Sequence, residues 1–316
     1  GLAGGLADTV LSQFAAGSLN PPEANDHYGY ALAAGDFNGD GIDDLAIGVP
    51  GDRQWDGGTQ EYENTGAVEI HYGHESGIQT VGEHHLMWHT FGSHNNDRLG
   101  EALAVGNFNA DFYDDLAIGI PGDHLFYAGG YVWPAGSVWV LHGHFGGLVP
   151  TEGFLVYQDA EGIHDWPELD DDFGYAVAAG DFNGDGFDDL AIGVPGEEAT
   201  GAVQVVMGSE FSLLFVNNAI WLQGDLTGGG PSEVGDRFGS ALAVGNFDGD
   251  LNFGRPVDDL VIGAPFEDLG AGEASIDAGE ISVLYGTASG AWFDHARTDH
   301  FRQSGIFGSS TYDQAG

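Results

Sequence analysis

The sequence has no cysteine and no lysine; all six of its basic residues are arginine. Without cysteine there are no disulfides, no thiolate metal centres and no sulfur nucleophile. Without lysine, Schiff-base chemistry and the lysine-dependent phosphate loop are excluded as well. Positive charge is scarce altogether: 50 acidic residues leave a formal net charge of −44, which argues against nucleic acid and against contact with anionic lipid. No apolar run reaches membrane-spanning length, so direct membrane insertion is not expected. A Gly-x-Ser-x-Gly nucleophile elbow and an Asn-x-Ser/Thr sequon are both missing, and helical periodicity is nowhere evident. The opening residues GLAGGLAD lack the charged segment and full apolar stretch of a signal peptide, so a processed mature start is expected.

What the chain has in abundance is glycine, 55 residues, and one recurring phrase. GDFNGDGIDDLAIGVPG at 35–51 returns as GDFNGDGFDDLAIGVPG at 180–196, with weaker copies at 106–122 and 245–265. One unit is therefore present four times. In the first copy Asp36, Asn38, Asp40 and Asp44 stand at positions one, three, five and nine of a loop, and Ile42 at seven can offer its main-chain carbonyl. Gly41 at position six allows the positive φ that a sharp turn needs. Hard cations such as Ca2+ take six to eight oxygens at about 2.3–2.6 Å, and alternate side chains of a tight loop can supply them. The third copy repeats the set with Asp181, Asn183, Asp185, Phe187 (carbonyl) and Asp189. An EF-hand is excluded, because position twelve is Ile47 or Ile192 and the following residues read as a short apolar strand. A solvated Asp-rich turn would explain one isolated loop; two near-identical copies at equivalent places point to calcium.

The other two loops depart from the pattern. The second offers Asn107, Asn109, Asp111, the Tyr113 carbonyl and Asp115, so one carboxylate is gone and Phe112 stands where glycine belongs. A bulky residue at positive φ is costly, and a different loop shape is expected there. The fourth offers Asn246, Asp248, Asp250, the Val257 carbonyl and Asp259, with five extra residues inside the loop. The expected order of occupancy is copies one and three, then four, then two.

Around each loop lies a larger unit. It opens with an aromatic residue or Leu followed by Gly (Tyr28-Gly29, Leu99-Gly100, Phe173-Gly174, Phe238-Gly239), and after the loop come the DLAIG strand, a variable loop and a third strand. A fourth, less regular strand follows around LMWHT, LVYQD, IWLQG and HFRQS. Four short antiparallel strands per unit predict an all-β fold, a β-propeller of four-stranded blades spanning about 28–90, 99–160, 173–224 and 238–304 of a single domain, 1–316. Residues 8–27 and 298–316 both resemble an outer strand with its approach to a further blade, so either one outer element is surplus or the chain is a piece of something longer. A bare edge strand invites pairing, so self-association through the end strands is expected.

The Phe-Gly opening, the Asp-rich loop and the Gly-x-Pro ending resemble FG-GAP repeats, the blades of the integrin α-subunit propeller and of many microbial surface proteins, over about residues 25–310. The resemblance implies calcium bound by the loop between the first two strands on the lower face of the disc. It implies a protein or glycan ligand on the upper face, and an extracellular or cell-surface location. Such propellers mostly have seven blades, and four full units are present here. The same repeats occur in secreted phospholipases, which leaves a propeller attached to a hydrolase domain as the rival to a non-catalytic adhesion or filament subunit.

The remaining features weigh less. His71, His74, His142 and His144 recur at the ends of third strands, and His84-His85 form a pair, but units three and four replace these positions with Met207, Ser209, Tyr285 and Thr287. Solvated strand ends account for the histidines better than a zinc site. Paired acids such as Asp43-Asp44 resemble a glycosidase couple but belong to the cation loop. The variable loops 51–66 and 122–136 carry Trp55, Tyr62, Phe126, Tyr131 and Trp133, and are the expected recognition surface unless the aromatics fold over the blade core. A surface this acidic and free of lysine is what strong brine or a calcium-rich sea selects, since cations must offset its self-repulsion.

Overall fold

A computed structural model describes residues 11–13, 22–55, 61–78, 84–87, 94–160, 162–163, 165–268, 278–288 and 293–302. The chain is all-β. Its four principal sheets each hold four antiparallel strands in sequence order. Unit one pairs Leu32–Gly35, Asp44–Val49, Ala67–His71 and His84–Met87; unit two pairs Leu103–Gly106, Asp115–Ile120, Ser137–Leu141 and Phe154–Val156. Unit three uses Ala176–Gly180, Asp189–Val194, Ala202–Met207 and Leu214–Leu222; unit four uses Ala241–Gly245, Asp259–Ala264, Glu280–Gly286 and Phe293–Arg302. The second strand of each unit is apolar and central, and it is buried along most of its length on both faces, as a strand between two packed sheets must be.

The core lies between units. One cluster joins Phe37, Val68 and Ile70 of unit one to Leu116, Ile118 and Trp139 of unit two. A second joins Phe108 and Val138 to Leu190 and Ile192, and a third joins Phe182 and Val203 to Leu260 and Ile262. No unit therefore buries its apolar surface alone, the defining property of a repeat array.

Hydrogen bonds at the junctions repeat in register. On the upper side the amides of Leu99, Phe173 and Phe238 donate to Thr65, Ala135 and Thr200 carbonyls of the preceding unit at 3.0, 2.9 and 3.0 Å. On the lower side the first amide of each loop donates to an acid of the following unit: Asp36 to Asp114, Asn107 to Asp188 and Asp181 to Asp258, at 2.8, 2.8 and 3.1 Å. Phe37, Phe108 and Phe182, second in their loops, are fully buried by the next unit, whereas Phe247 of unit four is 58% exposed. Glycines report the same thing. A Cβ on Gly35, Gly106 or Gly180 would strike Val105, Ala179 or Val244 of the next unit, while one on Gly245 would meet only the ring of Phe247 in its own unit. The trailing face of unit four is thus built as a junction with no following unit among the described residues.

Residues 298–302 belong to the outer strand of unit four, as the HFRQS segment predicts, and pair with Glu280–Leu284 of the same sheet rather than with a neighbouring molecule. Of the segment 8–27 only 11–13 and 22–27 are described, so the outer strand expected there lies mostly outside the described residues. Gln13 nevertheless donates through Nε2 to Asp52 at 3.3 Å, as Gln158 does to Glu197 and Gln223 to Glu267 at 2.7 and 2.6 Å. Gln158 and Gln223 directly follow outer strands of units two and three, so Gln13 fills the matching place ahead of unit one.

Candidate cation loops and the opposite face

Loops one and three share one geometry. The Asp40 amide donates to Asp36 Oδ1 and Asn38 Oδ1 at 3.1 and 3.0 Å, Gly41 to Asp36 Oδ2 at 2.8 Å, and Ile42 to Asp40 Oδ1 at 2.9 Å. Asp185, Gly186 and Phe187 repeat these bonds onto Asp181, Asn183 and Asp185. Asp44 and Asp189 sit under their loops, each receiving the amide of the buried Phe and of a glycine after the third strand (Gly73, Gly208). The loop backbone thus orients the oxygens, and Asp44 and Asp189 also accept the Asn38 and Asn183 side-chain amides at 3.4 Å. Gly39 and Gly41 have φ of 72° and 86°, and Gly39 must also admit the Tyr113 ring of unit two, which a Cβ would meet at 2.5 Å.

These carboxylates sit in an unfavourable field. Burial pushes Asp44 and Asp181 up to about 6 and raises Asp189 well above the usual carboxylate range; the amides pull the other way, and neighbouring acids of the same loop push further. An all-oxygen donor set under charge repulsion fits a hard divalent cation, which would replace protons as the compensating charge.

Loop two neutralises itself. Phe112 is not at positive φ and is 93% exposed, while Ala110, at φ 49°, stands in the place of Gly39 and Gly184, which are at positive φ too. The Asp111 and Tyr113 amides repeat the bonds of loops one and three onto Asn107, Asn109 and Asp111, so the different loop shape expected there is corrected. Asn107 Nδ2 donates to the Asp111 carbonyl at 2.9 Å and Asn109 Nδ2 to Asp111 Oδ2 at 3.0 Å, so side-chain amides already bring partial positive charge into the loop. Beneath the loop His142 Nδ1 lies 3.1 Å from Asp115 Oδ2, and this hydrogen bond raises the imidazole pKa. The solvated strand end expected of His142 is therefore corrected: it is half-buried and holds the ninth-position acid. His71 is likewise buried, 3.5 Å from Glu69 and 3.3 Å from Tyr28 Oη. His74 and His144 do lie at turns, making local bonds to Ser76 Oγ and the Gly146 amide at 2.9 and 2.8 Å. His84-His85 fall on the outer strand of unit one, with side chains outside the described residues.

In loop four the five extra residues form a hairpin, Leu251–Asn252 with Arg255–Pro256. It reaches back to loop three, where Asn252 Nδ2 donates to the Gly184 carbonyl at 2.7 Å. Among the four loops, the described carboxylate oxygens converge within 4.8 Å as a trio only here, from Asp248, Asp250 and Asp259. Arg297 Nη1 lies 2.5 Å from Asp248 Oδ2, so a guanidinium already supplies charge. Burial and the neighbouring Asp248 lift Asp250 to about 6. Convergence alone would put loop four first, but its built-in arginine separates it from loops one and three.

The opposite face carries a feature that sequence reading missed. Each unit buries a pair of acids there: Asp26 with Asp52, Asp97 with Asp123, Asp171 with Glu197, and Asp236 with Glu267, none more than 5% exposed. The first follows the spacing Asp-x-x-Gly before each unit opening, and the second follows the Gly-x-Pro ending; both signals were in the sequence. The first acid is held by the amide three residues before it, that of Glu23, His94, Glu168 or Glu233, at 2.5–2.6 Å. Burial, with the partner acid adding to it, pushes Asp97 and Glu197 up to about 8 and Glu267 to about 7.

The variable loop of unit two is a hairpin, Leu125–Tyr127 with Gly130–Val132. Phe126, Tyr131 and Trp133 are 68, 69 and 42% exposed, so they do not close over the blade core. In unit one the Trp55 side chain lies outside the described residues. The corresponding loop of unit three is only a turn at Glu197–Ala199.

Tandem four-stranded blades, joined through shared cores and each carrying an Asp-rich loop between its first two strands, define a β-propeller-type repeat protein. Comparison with known proteins agrees. The FG-GAP repeat family model matches residues 28–68 and 173–206, the openings of units one and three. The chain is similar to integrin alpha-5 of Xenopus laevis (33% identical over 178 residues, 55% of this chain and 15% of that protein) and to integrin alpha-8 of Gallus gallus (30% over 266 residues, 81% and 21%). It is also similar to phosphatidylinositol-glycan-specific phospholipase D of Bos taurus (33% over 190 residues, 57% and 20%). Among solved structures, a rhamnogalacturonan lyase of Bacillus licheniformis aligns with TM-score 0.41 at 13% identity, covering 81% of this chain and 46% of that one. The chain is an integrin-like FG-GAP repeat protein, and it spans 15 to 21% of the length of these curated relatives.

Proposed function

We propose that this chain is a calcium-binding propeller array that acts extracellularly as a non-catalytic adhesion or surface subunit. The observation that supports this most is the pair of matched loops, Asp36–Asp44 and Asp181–Asp189, whose backbones orient mutually repelling acids above a buried ninth-position acid, Asp44 or Asp189. The integrin relatives favour adhesion, and the exposed aromatics of unit two offer a surface for a protein or glycan on the face opposite the loops. The phospholipase relative supports the second reading, a propeller serving a hydrolase whose catalytic domain lies elsewhere. Among the described residues no helix is long and apolar enough to cross a membrane. Calorimetric titration should show calcium bound in the range of about 10⁻⁴–10⁻³ M typical of extracellular modules. A Asp40→Ala, Asp185→Ala double variant should lose that heat, and retention of the full heat would refute the assignment.

Among the described residues the outer faces of units one and four are complementary. Asp43 occupies in unit one the place of Asp114, Asp188 and Asp258, which accept amides from a preceding unit, while Asn246 in unit four carries the amide that would seek such an acceptor. Leu32 on the first face and Phe247 on the last are 63 and 58% exposed. A second copy docked head to tail would satisfy both faces, giving a ring or a filament according to the rotation per copy. Sedimentation velocity at rising concentration should show association that Asp43→Ala weakens. A monomer at all concentrations would overturn it.

A further inference from the structure

The three positions that frame the first buried acid of the opposite face are acidic or arginine in three units: Glu23, Asp26 and Arg53; Glu168, Asp171 and Glu198; Glu233, Asp236 and Asp268. Unit two alone places histidine at both flanking positions, His94 and His124, around Asp97. Nδ1 or Nε2 of each ring and a carboxylate oxygen of Asp97 all lie within 4.8 Å of one another. His94 Nδ1, Asp97 Oδ1 and His124 Nε2 are all buried and have no hydrogen-bond partner. Asp97 itself is fully buried, and its other oxygen is already taken by the His94 amide at 2.6 Å. Burying three such atoms without partners is costly, and one ligand that accepts lone pairs from two imidazoles and a carboxylate removes the cost at all three.

We propose that His94, Asp97 and His124 form a transition-metal site of the zinc class on the face opposite the calcium loops, with a coordination position left open. Two imidazole nitrogens and one carboxylate oxygen suit zinc and its neighbours and are too nitrogen-rich for calcium. The open position faces a cleft of about 410 Å3 lined by Phe126, Tyr127, Tyr157 and Asp159 as well as the two histidines. On its other side His124 packs against Trp133, ring centroids 4.9 Å apart, which limits the places that ring can go. The two imidazoles stack in parallel, 4.1 Å apart with 1° between their planes, so their lone pairs run side by side. Sharing one ion therefore requires a turn of one ring about χ2, a broad torsion for histidine. The site does not depend on the calcium reading, since it shares no residue with the loops.

The test uses the full chain with calcium saturating. Cobalt(II), a spectroscopic stand-in for zinc, should bind at about one equivalent, giving the intense visible bands of a four-coordinate site, and zinc should displace it. His124→Gln and His94→Gln should each weaken binding at least tenfold with an unchanged melting curve in calcium, whereas Asp40→Ala should leave the cobalt spectrum intact. Absence of the bands, or bands that survive both histidine variants, would overturn the proposal; the latter would place the ion at His71 or His142.

Discussion

Ten millimolar calcium should raise the melting temperature of this protein by about 10 °C over chelator at the same ionic strength. Two sites with Kd near 10⁻⁴ M, each about a hundredfold saturated, contribute about 2.7 kcal/mol apiece through mass action. A domain of this size moves about 2 °C per kcal/mol. Asp185→Ala removes one carboxylate and the acceptor of the Phe187 amide, and should abolish roughly half of the gain. Asp111→Ala should cost little of it, because loop two already answers its charges with Asn109 and His142. Differential scanning calorimetry of the three proteins decides the matter. Superimposable melts in calcium and chelator would remove the structural role of the cation.

The calcium effect should itself depend on pH, and its sign follows from burial. Asp44 and Asp181 have folded pKa values of about 6, raised from the ordinary carboxylate range chiefly by burial. A raised acid favours the folded state while protonated, so this stabilisation is complete below about pH 4 and is lost as pH climbs through 6. In chelator the protein should therefore lose stability between about pH 4 and 7. Calcium competes with those protons and needs the ionised forms, so its stabilising increment should be small at pH 5 and large at pH 7.5. The acid pairs of the opposite face, where Asp97 and Glu197 reach about 8, should add a further decline up to about pH 8 that calcium does not cancel. Melting temperatures at several pH values with and without calcium give both slopes; parallel curves would mean that the loops do not exchange protons for the ion.

Most of the fold was legible because the unit is repeated. Four copies of one phrase with the same spacing to a Gly-rich opening specified the strand order of each sheet, and the second strand's apolar run marked the central position. Phe112 suggested a different second loop, yet the loop keeps the Asp111 and Tyr113 amide bonds of its relatives, because the backbone at Phe112 simply avoids positive φ. Other features depend on partners distant in sequence. Nothing local shows that His142 lies under Asp115, or that the inserted hairpin of loop four leans on Gly184. The buried acid pairs were visible as spacings, but Asp97 and Asp123 become a pair only when the first two strands of the unit run out and back to bring them together. The exposure of Phe247, identical in motif to three fully buried phenylalanines, is set wholly by which unit comes next.

The lower-side bonds have a consequence for how the molecule comes apart. Loops one, two and three each have their first amide clamped by an acid of the following unit, so the geometry of loop one rests on unit two and that of loop three on unit four. Melting of unit four would release the Asp181 amide and loosen loop three, while melting of unit one would leave loop three untouched. Unfolding should then behave as a directional zipper, opening from the trailing end and expelling ions in order as it runs, with nearest-neighbour coupling setting how far each opening spreads.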